Sequence, residues 1–202
     1  MQIVCLDLEG VLIPEIWVEL ARQTGIEGLM ATTRDIPDYD ILMKQRLDYL
    51  ERHNLRLGDI QSVISRMEPL PGARGFLDSL RARYQVIILS DTFYEFANSF
   101  MRQLAWPTLL CHRLKIDSQG RLVGYVLRQE DPKRNVVNAL KQLNFRVFAA
   151  GDSYNDTTML EGADAGFLFC APKNVIKEFP QFPSTNSYDE LMKLFKKSEQ
   201  ER

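Results

Sequence analysis

The chain has 202 residues, 45% of them hydrophobic and 26% charged, with a formal charge of -2 at pH 7. That length suits one good core with a small insert and is short for two full domains, and the composition excludes long disordered stretches. Lys and Arg are interspersed with acids, so there is no general attraction to phosphate backbones or anionic lipid, and neither nucleic acid nor a membrane is expected as a partner.

Ile3 to Leu6 is a short apolar run that reads as a strand buried on both faces. It ends on Asp7-Leu8-Glu9-Gly10-Val11, whose carboxylates at i and i+2 share a face of the strand. The carboxyl end of such a strand is where open α/β sheets place their chemistry. From Pro14 to Glu68 the pattern is helical, over Glu15 to Thr24, Asp38 to His53 and Gly58 to Met67, until Pro69-Leu70-Pro71-Gly72 punctuates it. The chain thus leaves a sheet after its first strand and returns before the second, so a helical insert over the sheet's edge is expected. Trp17, Tyr39, Met43 and Tyr49 recur near helical spacing and read as its core.

A helix over Gly72 to Arg83 leads to a strand over Gln85 to Leu89, then Ser90-Asp91-Thr92, then a helix over Phe93 to Leu104. Leu109 to Arg128 holds two alternating runs around Asp117-Ser118-Gln119-Gly120 and reads as a β-hairpin. Asp131-Pro132 opens a helix reaching Leu143 and places Lys133 and Arg134 in its first turn. Cations there oppose the helix dipole by roughly 0.3 to 1 kcal/mol each unless an anion sits nearby. A strand over Val147 to Ala150 ends on Gly151-Asp152-Ser153-Tyr154-Asn155-Asp156, and a helix runs from Asp156 to Gly162. A strand over Gly166 to Cys170, an extended connector at Phe179 to Pro183 and a helix over Ser187 to Lys197 complete the chain. This alternation predicts an α/β fold, a parallel sheet with helices on both sides.

Cys5, Cys111 and Cys170 are widely separated in apolar runs and read as buried thiols of a reducing compartment, with neither a disulfide framework nor metal-ligand spacing. The chain opens on strand-like sequence, without a basic leader or a run able to span a membrane, so a cytoplasmic protein is expected. His53 and His112 lie far from the motifs in sequence and are given no role.

Taken singly, the polar features have ordinary readings: decorated strand ends, helix caps, a solvated lysine. Together they supply strand-end acids, a strand-end hydroxyl, a lysine at a helix start and a second set of acids. These are the parts needed to handle a phosphoryl group with a hard divalent cation such as Mg2+.

The sequence resembles the haloacid dehalogenase superfamily of aspartyl-phosphate phosphatases, whose motifs match in order Asp7-Leu8-Glu9-Gly10-Val11, Ser90, Lys133, and Gly151-Asp152 with Asp156. The resemblance implies a three-layer, Rossmann-like parallel sheet with a small helical cap inserted after the first strand. The core would comprise residues 1–13 and 71–202, and the cap residues 14–70. Within the superfamily the chain is similar to phosphoserine phosphatases, sharing Gly-Asp-x-x-Asn-Asp at residues 151–156, and to the branch that also transfers phosphate to homoserine. Glu9 departs from the usual Asp of the first motif, and that branch shares the departure.

The resemblance makes Asp7 the nucleophile, Glu9 the general acid and base, and Ser90 and Lys133 the phosphoryl-binding pair. It gives Mg2+ to Asp7, the Glu9 carbonyl and Asp152, with Asp156 outside the metal or orienting Lys133. It gives the substrate's amino and carboxylate groups to Glu15 and Arg46, and the phosphoryl group or substrate to the Asp91 amide and to Asn155. Small-molecule partners, phosphoserine and homoserine, are implied; the oligomeric state stays open, a homodimer included. Rival readings are the phosphatase of another small phosphomonoester, a phospho-receiver module, or a binding protein of the same fold without turnover.

Overall fold

The computed structural model describes residues 1–32, 35–36 and 38–200. β1 (Gln2–Leu6) is continuously apolar because both of its faces are covered. Val4 and Leu6 face a core that contains Ile88, Phe93, Phe96, Phe148 and Phe195, while Ile3 and Cys5 face a second core with Val136, Val137, Val147, Ala149 and Met159. β1 pairs in parallel with β2 (Gln85–Phe93) on one side and β5 (Arg146–Gly151) on the other, with Leu6 opposite both Ile88 and Ala150.

The sheet continues through β3 (Thr108–Ile116) and β4 (Leu122–Val126) beyond β2, and through β6 (Ala165–Phe169) and β7 (Ser184–Thr185) beyond β5. Its order is β4-β3-β2-β1-β5-β6-β7, parallel except between β3 and β4. Chain order departs in opposite directions from β1, which opens a crevice at the carboxyl ends of β1, β2 and β5.

The insert supplies α1 (Ile16–Thr24), α2 (Tyr39–Arg52) and α3 (Leu57–Ile64), whose buried faces join the same core as Val4 and Leu6. Asp38 caps α2 by accepting from the Ile41 N–H at 3.0 Å. Hydrogen bonds that tie the insert to the sheet side include Tyr39 hydroxyl to Asp91 O at 3.2 Å, Leu57 N to Gly120 O at 2.9 Å, Gln61 Nε2 to Glu95 O at 2.9 Å and Leu70 N to Leu12 O at 2.9 Å. The remaining helices are α4 (Ala73–Arg81), α5 (Tyr94–Gln103), α6 (Pro132–Gln142), α7 (Thr157–Gly162), α8 (Lys173–Glu178) and α9 (Tyr188–Gln200).

Several local expectations change. The second strand does not stop at Leu89 but continues through Ser90-Asp91-Thr92 to Phe93, with its register to β3 shifting between Leu89 and Phe93. Phe93 pairs with His112 and packs edge-on against Phe96, which keeps the polar tripeptide extended. The hairpin exists, yet β3 is also a full member of the main sheet through β2. α8 and β7 were not foreseen. Cys170 is exposed, one residue past β6 in a left-handed conformation with φ 51°, so the buried apolar run ends at Phe169.

Candidate active site

Asp7 is the first residue beyond β1. Its backbone N–H still reaches across to Ala150 O at 3.0 Å, which fixes the carboxylate at the mouth of the crevice. The chain then folds back, with Leu12 and Ile13 N–H both donating to Leu8 O and Gly10 N–H to Ile13 O. Gly10 has φ +74°, and a Cβ there would stand 2.5 Å from the Asp152 carboxylate carbon, so this turn needs glycine on two counts. Asp7 Oδ1 accepts from Leu8 N at 2.7 Å and stands 3.0 Å from Lys133 Nζ.

β5 ends at Gly151, where a Cβ would lie 2.3 Å from Cγ of Asp156. Through that gap the Asp156 carboxylate folds back on its own loop. Oδ2 accepts from Asp152 N at 2.9 Å and Ser153 N at 3.1 Å, and Oδ1 takes Lys133 Nζ at 2.6 Å. Lys133 is in the first turn of α6 and is 2% exposed, and its conflict with the helix dipole is resolved by the carboxylates around it. Asp131 does precede Pro132, but its side chain does not cap α6; it accepts instead from the Thr158 hydroxyl at 2.9 Å.

Ser90, on the extended end of β2, is buried, and its Oγ accepts from Thr92 N at 3.2 Å. Asp91 turns its side chain to three groups: Asn155 Nδ2 at 2.6 Å, Lys133 Nζ at 3.5 Å and His112 Nε2 at 3.4 Å. Burial alone would raise the Asp91 pKa, but Lys133, His112 and Asn155 outweigh it and hold the carboxyl below the usual range. Glu9 accepts from Ile16 N at 2.9 Å. Burial, reinforced by neighbouring Glu15, pushes its carboxyl up to about 8, against the Ile16 N–H and a hydrogen bond with Thr92.

Arg46 comes from α2 and is 7% exposed. Its guanidinium stacks over Trp17 at 4.6 Å from the ring centroid and donates to Ala31 O at 3.0 Å, while its buried Nε has no hydrogen-bond partner. Glu15, Trp17, Tyr39 and Arg46 from the insert close one pocket with Asp7, Glu9, Ser90, Asp91, Asp152 and Asn155 from the sheet. Lys133 and Asp156 stand directly behind Asp7.

A family model described as haloacid dehalogenase-like hydrolase matches residues 1–164. The chain belongs to the haloacid dehalogenase-like hydrolases. It is 64% identical over 198 residues, 98% of this chain and 97% of the relative, to a protein named phosphoserine phosphatase ThrH from Pseudomonas aeruginosa. It is 65% identical over 198 residues, 98% of this chain and 84% of the relative, to one named phosphoserine phosphatase from Pseudomonas syringae pv. tomato. A solved structure described as a phospho-aspartyl intermediate analogue of phosphoserine phosphatase shares the fold, with TM-score 0.77 at 22% identity over 95% of this chain and 97% of that chain.

A hydrolase of this family is expected to use a divalent cation, and the donor set here suits one. Asp7, Asp152 and Asp156 are buried, with carboxylate oxygens all within 4.8 Å of one another. Burial and the charge of Asp156 raise the Asp7 pKa well above its ordinary value, more than Lys133 lowers it. An all-oxygen cluster whose members repel one another is a hard-cation site in chemical type. Within it Asp156 also serves Lys133 and two amides.

Of the insert's aromatics expected as core, some of which could also line a pocket, Trp17 and Tyr39 do both, and helical spacing carries no signal that tells which. His112 touches Asp91, although nothing near it in sequence marks it; the β2–β3 register alone brings it there. Among the described residues no helix is long and apolar enough to cross a membrane.

Proposed function

We propose that this hydrolase removes phosphate from phosphoserine through an aspartyl-phosphate on Asp7, with residues 14–70 as the cap that admits substrate, and that homoserine can replace water as acceptor. The observation that carries the reading is the meeting, in one pocket, of Asp7 and Glu9 with a buried arginine whose Nε is unpartnered. Relatives at 64% and 65% identity named as phosphoserine phosphatases support it.

The Asp7 carboxylate oxygen attacks phosphorus in line as the bond from phosphorus to the serine oxygen breaks, and Glu9 gives its proton to that oxygen. A carboxyl pushed up to about 8 is largely protonated at neutral pH, which suits a general acid. The Glu9 carboxylate left behind then takes a proton from water, whose oxygen attacks phosphorus; the bond to Asp7 breaks and inorganic phosphate leaves. If homoserine's hydroxyl enters instead, the same proton transfer yields phosphohomoserine.

Lys133, the Ser90 hydroxyl and the Asp91 amide hold the phosphoryl oxygens, Asp156 orients Lys133, and Asn155 sits beside the phosphate. Mg2+, held by Asp7, Asp152 and the Glu9 carbonyl, would neutralise charge on the transferring group. Glu15 receives the substrate's ammonium and Arg46 its carboxylate, which would satisfy the orphaned Nε.

The test compares phosphoserine with p-nitrophenyl phosphate, which lacks both amino-acid groups. Arg46→Ala is expected to raise KM for phosphoserine about 10- to 100-fold, the loss of charged hydrogen bonds, and to leave p-nitrophenyl phosphate nearly unchanged. Equal losses on both esters would remove the amino-acid assignment. Incubation with phosphoserine and homoserine is expected to give phosphohomoserine; phosphate release without it would confine the protein to hydrolysis.

A further inference from the structure

His112 is 2% exposed in the middle of β3, a position where a histidine is commonly a satisfied core residue. Its hydrogen bonds say more than that. Nδ1 accepts the Arg128 backbone N–H at 3.1 Å, which leaves the ring proton of the neutral imidazole on Nε2. Nε2 is the nitrogen that stands 3.4 Å from Asp91 Oδ1. The other Asp91 oxygen receives Asn155 Nδ2 at 2.6 Å and lies 3.5 Å from Lys133 Nζ.

The acceptor side is itself anchored. Arg128 donates through Nη2 to Pro132 O at 2.8 Å, on the first turn of the helix that carries Lys133. The Asp91 carbonyl receives the Tyr39 hydroxyl at 3.2 Å, so the backbone on which the carboxylate turns is held from the insert. One imidazole therefore divides the Asp91 carboxylate, keeping Oδ1 on β3 and leaving Oδ2 for Asn155 and Lys133.

We propose that His112 is a positioning residue for phosphoryl transfer: by holding Asp91 it keeps the Lys133 ammonium directed at Asp7 and the Asn155 amide at the pocket. Lys133 is shared among Asp7 at 3.0 Å, Asp156 at 2.6 Å and Asp91 at 3.5 Å. Without an Asp91 carboxylate held in place, Lys133 and Asn155 lose that anchor, and the ammonium is free to settle on Asp156, away from the phosphoryl oxygens. Displacements of this kind weaken transition-state contacts more than ground-state binding, which rests on Glu15 and Arg46.

The inference rests on the phosphatase reading, and two substrates separate their failures. The intact protein would be assayed on phosphoserine and p-nitrophenyl phosphate as wild type, His112→Asn, His112→Gln, Asp91→Ala and the His112→Asn/Asp91→Ala double variant. Asparagine can still accept the Arg128 N–H but is too short to reach Asp91, whereas the glutamine amide can reach it. His112→Asn is expected to lower kcat about tenfold on both esters, with KM for phosphoserine moved less than about twofold. His112→Gln should recover most of the loss, and His112→Asn should add nothing in the Asp91→Ala background. A full additional loss in that background, a glutamine variant as poor as asparagine, or an asparagine variant as fast as wild type overturns the proposal. If the asparagine variant does not fold, Asp91→Ala removes the same link from the other end, and wild-type kcat there overturns it equally. Wild type idle on phosphoserine but active on p-nitrophenyl phosphate refutes the substrate alone, and His112 is then judged on the second ester.

Discussion

Lys133 Nζ stands 2.6 Å from Asp156 Oδ1, and both side chains are sealed from solvent. This contact joins the start of α6 to the loop after β5, two segments 23 residues apart. Burial works against the Lys133 charge, but Asp156, Asp7 and Asp91 together raise its pKa well above the ordinary value. One ammonium among three carboxylates, with Asp152 adjacent, leaves an excess of negative charge that a divalent cation would offset.

Millimolar Mg2+ is therefore expected to stabilise the folded protein. At a concentration about 100-fold above its dissociation constant the gain would be about 2.7 kcal/mol, visible as a rise in Tm. Chelation should abolish turnover, and Asp152→Asn should remove most of the rise. A Tm indifferent to Mg2+ in the wild type would dismiss the site.

Glu9 is the proton partner in the proposed mechanism. Glu9→Gln keeps an oxygen for the Ile16 N–H but cannot transfer a proton, so kcat should fall about 10²- to 10⁴-fold. Glu9→Asp retains the acid but withdraws it by one methylene from a backbone fixed by the Gly10 turn, and should fall between the two. Steady-state kinetics on phosphoserine would show it; a Gln variant as active as Asp contradicts the role.

Gly10→Ala would place a methyl on the Asp152 carboxylate at a backbone angle that L residues rarely adopt. The expected cost is about 1–3 kcal/mol of stability, with weaker stabilisation by Mg2+ because Asp152 must move. Urea denaturation with and without Mg2+ measures both effects. An alanine variant with wild-type stability would show that the loop relaxes freely.

Asp91 gives a pH signature. Its folded-state pKa is depressed, so its ionisation contributes stability that is fully present above the unfolded-state value of about 3.9 and is lost as pH falls toward the folded value. Asp91→Asn should be less stable than wild type by about 1–3 kcal/mol at pH 7, the worth of charged hydrogen bonds. The gap should narrow below about pH 4. A gap that stays constant from pH 7 to pH 3 would mean that the carboxylate's charge is immaterial to folding.

The chemistry-bearing residues of β1, β2 and β5 were readable because each short apolar run gives way to polar residues, and a sheet buried on both faces has no packing reason to place them there. The insert was equally readable, since Glu15 to Thr24, Asp38 to His53 and Gly58 to Met67 carry a helical period between prolines. These are local signals, and local geometry decides them.

What remained hidden depends on which distant segment lies alongside. No spacing shows that Arg46 stacks on Trp17, or that Tyr39 donates to the Asp91 backbone. A lone histidine in an alternating run does not show that it will meet an aspartate 21 positions earlier. Cys170 looked buried because its run is apolar, yet the strand ends one residue sooner and the backbone turns it out. The sequence by itself determined which strand ends carry acids, hydroxyl and lysine. Only the tertiary structure decided that Lys133 is shared among three carboxylates and that His112 steadies one of them, because strand register and helix docking arise from packing the whole core at once.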